Sequence, residues 1–182
     1  MSNKKITTKQ MVLTGVMAAV VFATNYIRIM IPTPIDNTAI HVANVTCLLS
    51  AFLLGPVYGG LSAGIGSAIY DLTNPLYLAS APFTLVFKFL MAFVCGKIAH
   101  SNGKGAKNLK WNIIGGVSGA ICYVILYLSK NFISNVFFKQ VQWQTALIDL
   151  VPKAVLSTIN GVIAVVVAVP LAAAMSKAMK KI

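Results

Sequence analysis

Acidic side chains are scarce in this sequence: three Asp or Glu residues stand against fifteen Lys and Arg in 182 positions, and charged residues make up only 10%. With 58% hydrophobic residues and a mean hydropathy of +0.81, the chain falls outside the range of soluble domains. It reads as an integral membrane protein. A net charge of +12 would point to nucleic acid in a soluble protein, but here the basic residues are spread over short connections between apolar runs. In that distribution they orient a chain in a bilayer.

Other absences exclude chemistries. The three cysteines, Cys47, Cys95 and Cys122, lie singly in apolar segments without metal-ligand spacing, and read as small core residues. No GxxxxGKS or GxxxxGKT loop occurs, so the chain does not hydrolyse ATP by that route, and HExxH is absent; GxSxG occurs once, as GLSAG from Gly60 to Gly64, inside a continuous apolar run and not at a strand-to-helix turn. No cofactor or metal is expected in this chain. The N-terminal MSNKKITTKQ has the basic start of a signal peptide but no small-residue cleavage site behind a short apolar core, so the first apolar segment is expected to be retained.

What the sequence has in quantity is long apolar runs. A bilayer core needs about 20 apolar residues per helix, and six spans are expected in a single all-α transmembrane domain covering 1–182. The first runs from about Met11 to Ile31 and is stopped by Pro32 and Pro34. The second and third share Val42 to Tyr70, broken at Gly55-Pro56, so both must be short or tilted. The fourth runs from about Pro82 to Ala99, the fifth from about Trp111 to Ser129, and the sixth from near Thr145 through Ser176. SNGKGAKNLK, from Ser101 to Lys110, is the only linker-like segment.

Six spans put both termini on one side. Lys4, Lys5, Lys9, Lys97, Lys104, Lys107, Lys110, Lys177, Lys180 and Lys181 fall on the N-terminal face, which is therefore cytoplasmic. The acids, Asp36, Asp71 and Asp149, fall at the opposite ends. His41 and His100 lie on opposite sides in this topology, which excludes a shared metal or catalytic site. Within the third span, Gly60, Gly64 and Ala68 repeat every four residues, the spacing that lets membrane helices approach closely. Gly15, Ala19 and Ala23 form a similar stripe on the first, fit either for packing in the bundle or for a partner; Gly115 and Gly119 pair likewise on the fifth.

Ionisable groups inside spans are costly in lipid and mark functional positions. Lys88 lies about 9 Å into the fourth span, counted at 1.5 Å per residue from Pro82. Asp71 ends the third; Asn25 and Arg28 lie near the outer end of the first; His41 and Asn44 begin the second; Asp149, Lys153 and Asn160 lie on the sixth. All belong to the outer half, which points to a pocket opening outward, not a continuous polar path. The candidate ligand contacts are His41, Asn44, Asp71, Tyr77, Lys88, Trp143, Lys153 and Asn160, with Asn25 weaker. Plainer readings stand beside them: Asp149 and Lys153 neutralise one another four residues apart, Arg28 snorkels, His41 and Asn44 cap a helix, and Tyr77 and Trp143 anchor the interface.

The segments IRIMIPTP, AIHVANVTCLLSAFLLGPVYGGLSAGIGSAIYDL and APFTLVFKFLMAFVCGKIA, in a chain of six spans, resemble the substrate-binding S components of energy-coupling factor (ECF) vitamin transporters. The block from His41 through Gly55-Pro56 to Asp71 and Pro82 is most similar to the subgroup for pyridoxine or hydroxymethylpyrimidine; pantothenate, riboflavin and other vitamins stay open. The resemblance implies a prokaryotic plasma-membrane protein that binds one vitamin from outside and docks on a module of a transmembrane coupling subunit and two cytosolic ATPases, which use the ATP. It also implies that the stripe Gly15, Ala19 and Ala23 meets the coupling subunit, and that a toppling motion carries the loaded site inward. A self-sufficient channel or carrier, or a membrane enzyme using Asp71 or His41 as base, are the rivals.

Overall fold

The computed structural model describes residues 7–101 and 106–179, with side chains as far as Met175. Lys4, Lys5, Lys104, Lys180 and Lys181, which carry part of the charge argument, lie outside the described residues, as does the Lys177 side chain. Helix α1 (Thr8–Thr24) is followed by a hairpin of β1 (Arg28–Pro32) and β2 (Asn37–His41). Then come α2 (Ala43–Thr73), a 3-10 turn (Leu78–Ser80), α3 (Ala81–Ala99), α4 (Leu109–Ile133) with a π-helical end (Ser134–Phe138), and α5 (Trp143–Met179). Four of these helices are long and apolar enough to cross a membrane, and α1 is a shorter apolar helix.

The hairpin corrects two expectations. The chain is mostly helical, not all-α, and its first helix stops at Thr24, seven residues short of Ile31. Asn25 caps the helix by donating its Nδ2 to the Val21 carbonyl at 2.8 Å. Beyond it, Ile29, Ile31, Thr38 and Ile40 are β-branched and favour extended backbone. Pro32 and Pro34, which a helix would not accept, fall at the strand end and in the turn. The turn is closed by Thr33, whose backbone N–H and hydroxyl both donate to the Asp36 carbonyl at 2.7 Å. Arg28 pairs with His41 and Pro32 with Asn37, in antiparallel register.

Gly55 divides α2 into two helical segments. Its φ of 81° lies in the left-handed region that glycine alone enters freely, and Pro56 starts the second segment. The segments run back along each other. Ser50 donates to the Gly59 carbonyl at 3.0 Å and Cys47 meets Ser67 at 3.9 Å, so His41 and Asp71 return to the same end of the molecule. This is the hairpin end; Gly55 and His100 mark the opposite, corner end, where the His100 ring contacts the Phe52 carbonyl at 3.0 Å.

Small residues set the helix spacing. A Cβ placed on Gly64 would lie 2.7 Å from the Leu85 carbonyl oxygen, and one on Gly60 would lie 2.9 Å from the Phe89 ring, so this stripe is closed by α3. Gly119 and Gly115 are closed in the same way, by the Met91 and Cys95 carbonyls at 2.6 and 2.7 Å. Towards the corner end the interior is apolar, built on Met17, Val21, Leu48, Phe52, Met91, Ala99, Ala168 and Ala172, with Cys47 and Cys95 among them. The Gly15 stripe differs: Gly15, Ala19 and Ala23 are all exposed, and a Cβ on Gly15 would meet nothing within 4 Å.

Candidate functional site

Beneath the hairpin lies a cavity of about 160 Å³, walled by α2, α3, α4 and α5 and by the hairpin itself. Of the residues singled out in the sequence, Asn25, His41, Asp71, Tyr77, Lys88 and Asn160 all line it. They come from five separate stretches of chain, brought to one end by the reversal at Gly55 and by the antiparallel run of α3, α4 and α5.

Lys88 is the deepest cation. It is buried at 3% exposure, donates to the Asn44 side-chain carbonyl, and places its ammonium 4.0 Å from the centre of the Tyr123 ring. Asn44 is thus one contact removed from the cavity, and its own Nδ2 is buried without a hydrogen-bond partner among the described residues. His41 Nδ1 is likewise unpartnered. His41 precedes α2, and its enclosure, together with the Lys88 and Arg28 charges, holds the imidazole well below its ordinary pKa, in the neutral form. Asp71 accepts from Thr84 at 2.5 Å and has no cation within ion-pair distance among the described residues.

Asn160 works on backbone. Its Nδ2 donates to the Ala39 carbonyl at 2.7 Å and its Oδ1 accepts from the His41 N–H at 3.1 Å, so one amide side chain on α5 continues the hairpin's hydrogen bonding. The hairpin tip is held separately. Asp149 accepts from the Ile35 N–H at 3.1 Å, from Asn135 at 3.0 Å and from Lys153 at 2.7 Å. Lys153 and Asp149 are 1% and 0% exposed, a buried pair outside the cavity lining, so the structure places Lys153 with its helical neighbour. At the rim, Asp36 is bridged to Lys139 at 3.1 Å; burial raises its pKa, but the Asn37 N–H and Lys139 outweigh this and hold the carboxyl below its usual range. Trp143 is 58% exposed at the start of α5 and is not part of the cavity wall.

The cavity also holds residues that the sequence reading left aside. Arg28 lines it, stacked 4.2 Å over Tyr70 and 5.0 Å over Tyr77, with Nε donating to the Asn25 carbonyl at 2.8 Å. From α4 come Tyr123, Tyr127, Lys130 and Asn131, and from α3 Phe83, Thr84 and Phe87. The α4 residues carried a legible signal: Tyr123, Tyr127, Lys130 and Asn131 recur at helical spacing on one face of an otherwise aliphatic span. Lys130 donates to Ser80 at 3.1 Å, and the Tyr123 and Tyr127 rings stack with centroids 5.9 Å apart. The result is an aromatic box with several cations and amides and one free carboxylate, suited to hold a small polar molecule.

Comparison with known proteins agrees with this architecture. A Pyrococcus woesei protein described as an uncharacterized protein in gap 3′region is 32% identical over 115 residues, 63% of this chain and 72% of that protein. A UPF0397 protein of Streptococcus gordonii is 30% identical over 145 residues, 74% of this chain and 76% of the relative, and one from Leuconostoc citreum is 32% identical over 130 residues, 68% of each. A solved structure described as the S component of a bacterial ECF transporter superposes with a TM-score of 0.64 over 94% of this chain and 98% of that one, at 20% identity, a likeness of fold. Residues 5–177 match the family model for the ECF-type riboflavin transporter, S component. The chain therefore belongs to the ECF-type riboflavin transporter S component family, multi-pass prokaryotic membrane proteins that serve transport and are not enzymes.

Proposed function

We propose that this chain is the substrate-specificity subunit of an ECF-type importer: it binds a small water-soluble vitamin or vitamin precursor from outside and delivers it inward by docking on an energising module. The observation that carries this reading is the cavity beneath the hairpin, polar and aromatic at one end of a bundle whose other end is closed by apolar packing. Counting the two segments of α2 separately, the protein is a single domain of six membrane-crossing segments with both termini cytoplasmic and the hairpin outside; the lysines of the connections support that orientation. The ligand contacts are Asn25, His41, Asp71, Tyr77, Lys88 and Asn160, joined by Arg28, Tyr123 and Tyr127, with Asn44 acting through Lys88.

Members of the family work with an ECF module. For this chain the partners are a transmembrane coupling subunit and two cytosolic ATPases, which consume the ATP. The exposed stripe Gly15, Ala19 and Ala23 supports docking on the coupling subunit, since none of the described residues covers it. The family model's name favours riboflavin, and the sequence block around His41 favours a pyridoxine-like or hydroxymethylpyrimidine-like ring. Uptake into proteoliposomes tests the reading. The chain alone is expected to bind its vitamin without accumulating it, and accumulation is expected only with the module and ATP. Uptake by the chain alone would establish a self-sufficient carrier instead.

A further inference from the structure

The charge balance of the cavity constrains its ligand. Arg28, Lys88 and Lys130 all line it, and none makes an ion pair with a carboxylate among the described residues. Each is held by neutral groups: Arg28 by the Asn25 backbone and side-chain carbonyls and two tyrosine faces, Lys88 by Asn44 and the Tyr123 face, Lys130 by Ser80. Against them stand two carboxylates in the lining. Asp36 is already bridged by Lys139, which leaves Asp71, itself held by Thr84. Elsewhere at the hairpin end a buried lysine does have a carboxylate partner, Lys153 with Asp149 at 2.7 Å. An ammonium taken out of water costs several kcal/mol unless a counter-charge reaches it. In Lys88 that cation lies at the cavity wall, beside an Asn44 Nδ2 and a His41 Nδ1 that are buried and unpartnered.

We propose that the molecule bound in this cavity is an acid, carrying a carboxylate or phosphate whose oxygens take up Lys88, with Arg28 and Lys130 supplying the surrounding positive field. This rests on the reading of the cavity as the vitamin site and narrows it: with a neutral flavin, pyridoxine or hydroxymethylpyrimidine the three cations face the single carboxylate of Asp71 and positive charge is left in excess, whereas a carboxylic or phosphorylated vitamin offsets that excess. The aromatic walls formed by Tyr77, Phe83, Phe87 and Tyr127 hold the apolar or planar remainder.

The test begins with mass spectrometry of the small molecule released on denaturing the purified full chain. It continues with titration calorimetry of matched pairs: nicotinate against nicotinamide and pantothenate against pantothenol for carboxylates, riboflavin 5′-phosphate against riboflavin and pyridoxal 5′-phosphate against pyridoxal for phosphates. The expected result is a copurified acid, or at least one acid binding tenfold or more tightly than its neutral partner, with affinity falling as salt rises. The pair that responds tells carboxylate from phosphate. Lys88→Met should weaken the acid about tenfold to a hundredfold, as loss of a charged hydrogen bond does, and Lys88→Arg should recover part of it. Unchanged thermal unfolding separates this from misfolding. A neutral vitamin copurifying, or binding as tightly as its acid, overturns the charge proposal and leaves the importer reading intact. No copurified acid and no acid binding more tightly than its neutral partner overturns the charge proposal, while the importer reading stands or falls with the uptake experiment.

Discussion

The two ends of the bundle solve opposite problems with the same helices. At the corner end, glycines and alanines bring backbones together until a single Cβ would collide, as one on Gly96 would against Pro56 at 2.7 Å. At the hairpin end the same α2, α3, α4 and α5 carry Asp71, Lys88, Tyr123 and Asn160, which hold the helices apart around a cavity. The polar residues of that end divide again. Some are fully mutually satisfied, such as Asp149 with Lys153, Asn135 and the Ile35 N–H; others, such as Lys88, Asn44 and His41, keep a charge or a polar atom in reserve. The satisfied groups fasten the hairpin, and His41 Nδ1 and Asn44 Nδ2, unpartnered among the described residues, lie beside the cavity.

Substitutions can break this contrast in order of decreasing effect on the fold. Gly64→Leu drives a side chain into the Leu85 carbonyl, and size-exclusion chromatography should show aggregation or no folded protein. Lys153→Met leaves Asp149 buried without its counter-ion; a loss of about 3–5 kcal/mol is expected, seen as a large fall in the thermal midpoint, with Lys153→Met plus Asp149→Leu partly restored. Asn160→Ala strands the Ala39 carbonyl and the His41 N–H, for about 1–3 kcal/mol, and faster hydrogen exchange confined to the hairpin should report it. Ala19→Leu with Ala23→Leu should leave both stability and vitamin binding in detergent unchanged while abolishing uptake by the reconstituted complex. Intact uptake would remove α1 as the docking face.

The legibility of this molecule followed the same division. The long apolar helices were readable because about 20 apolar residues have few fates, and the break at Gly55-Pro56 because glycine and proline together disrupt a helix. The Asp149–Lys153 pairing followed from four-residue spacing. The hairpin was not readable: Ile27, Ile29, Met30 and Ile31 look like a continuation of the apolar run of α1 past Thr24 and Asn25, and the hold from Asn160 and Asp149 that helps fix the strand pair is tertiary. Tyr123 and Tyr127 were overlooked because aromatic residues in an aliphatic span look like core or lipid-facing groups. Trp143 was over-read for the converse reason, since nothing in sequence distinguishes a ring over a pocket from one at the interface. Arg28 was noticed but assigned to the headgroups; its position over Tyr70 and Tyr77 depends on the reversal at Gly55, which brings the end of α2 beside β1.

The structure of the protein loaded with its copurified molecule tests the central claim most directly. The account predicts ligand density beneath the hairpin, between Tyr127 and Asn160, with an oxygen of the ligand within about 3 Å of Lys88 Nζ. Density elsewhere in the molecule, with this cavity holding only solvent, would contradict it.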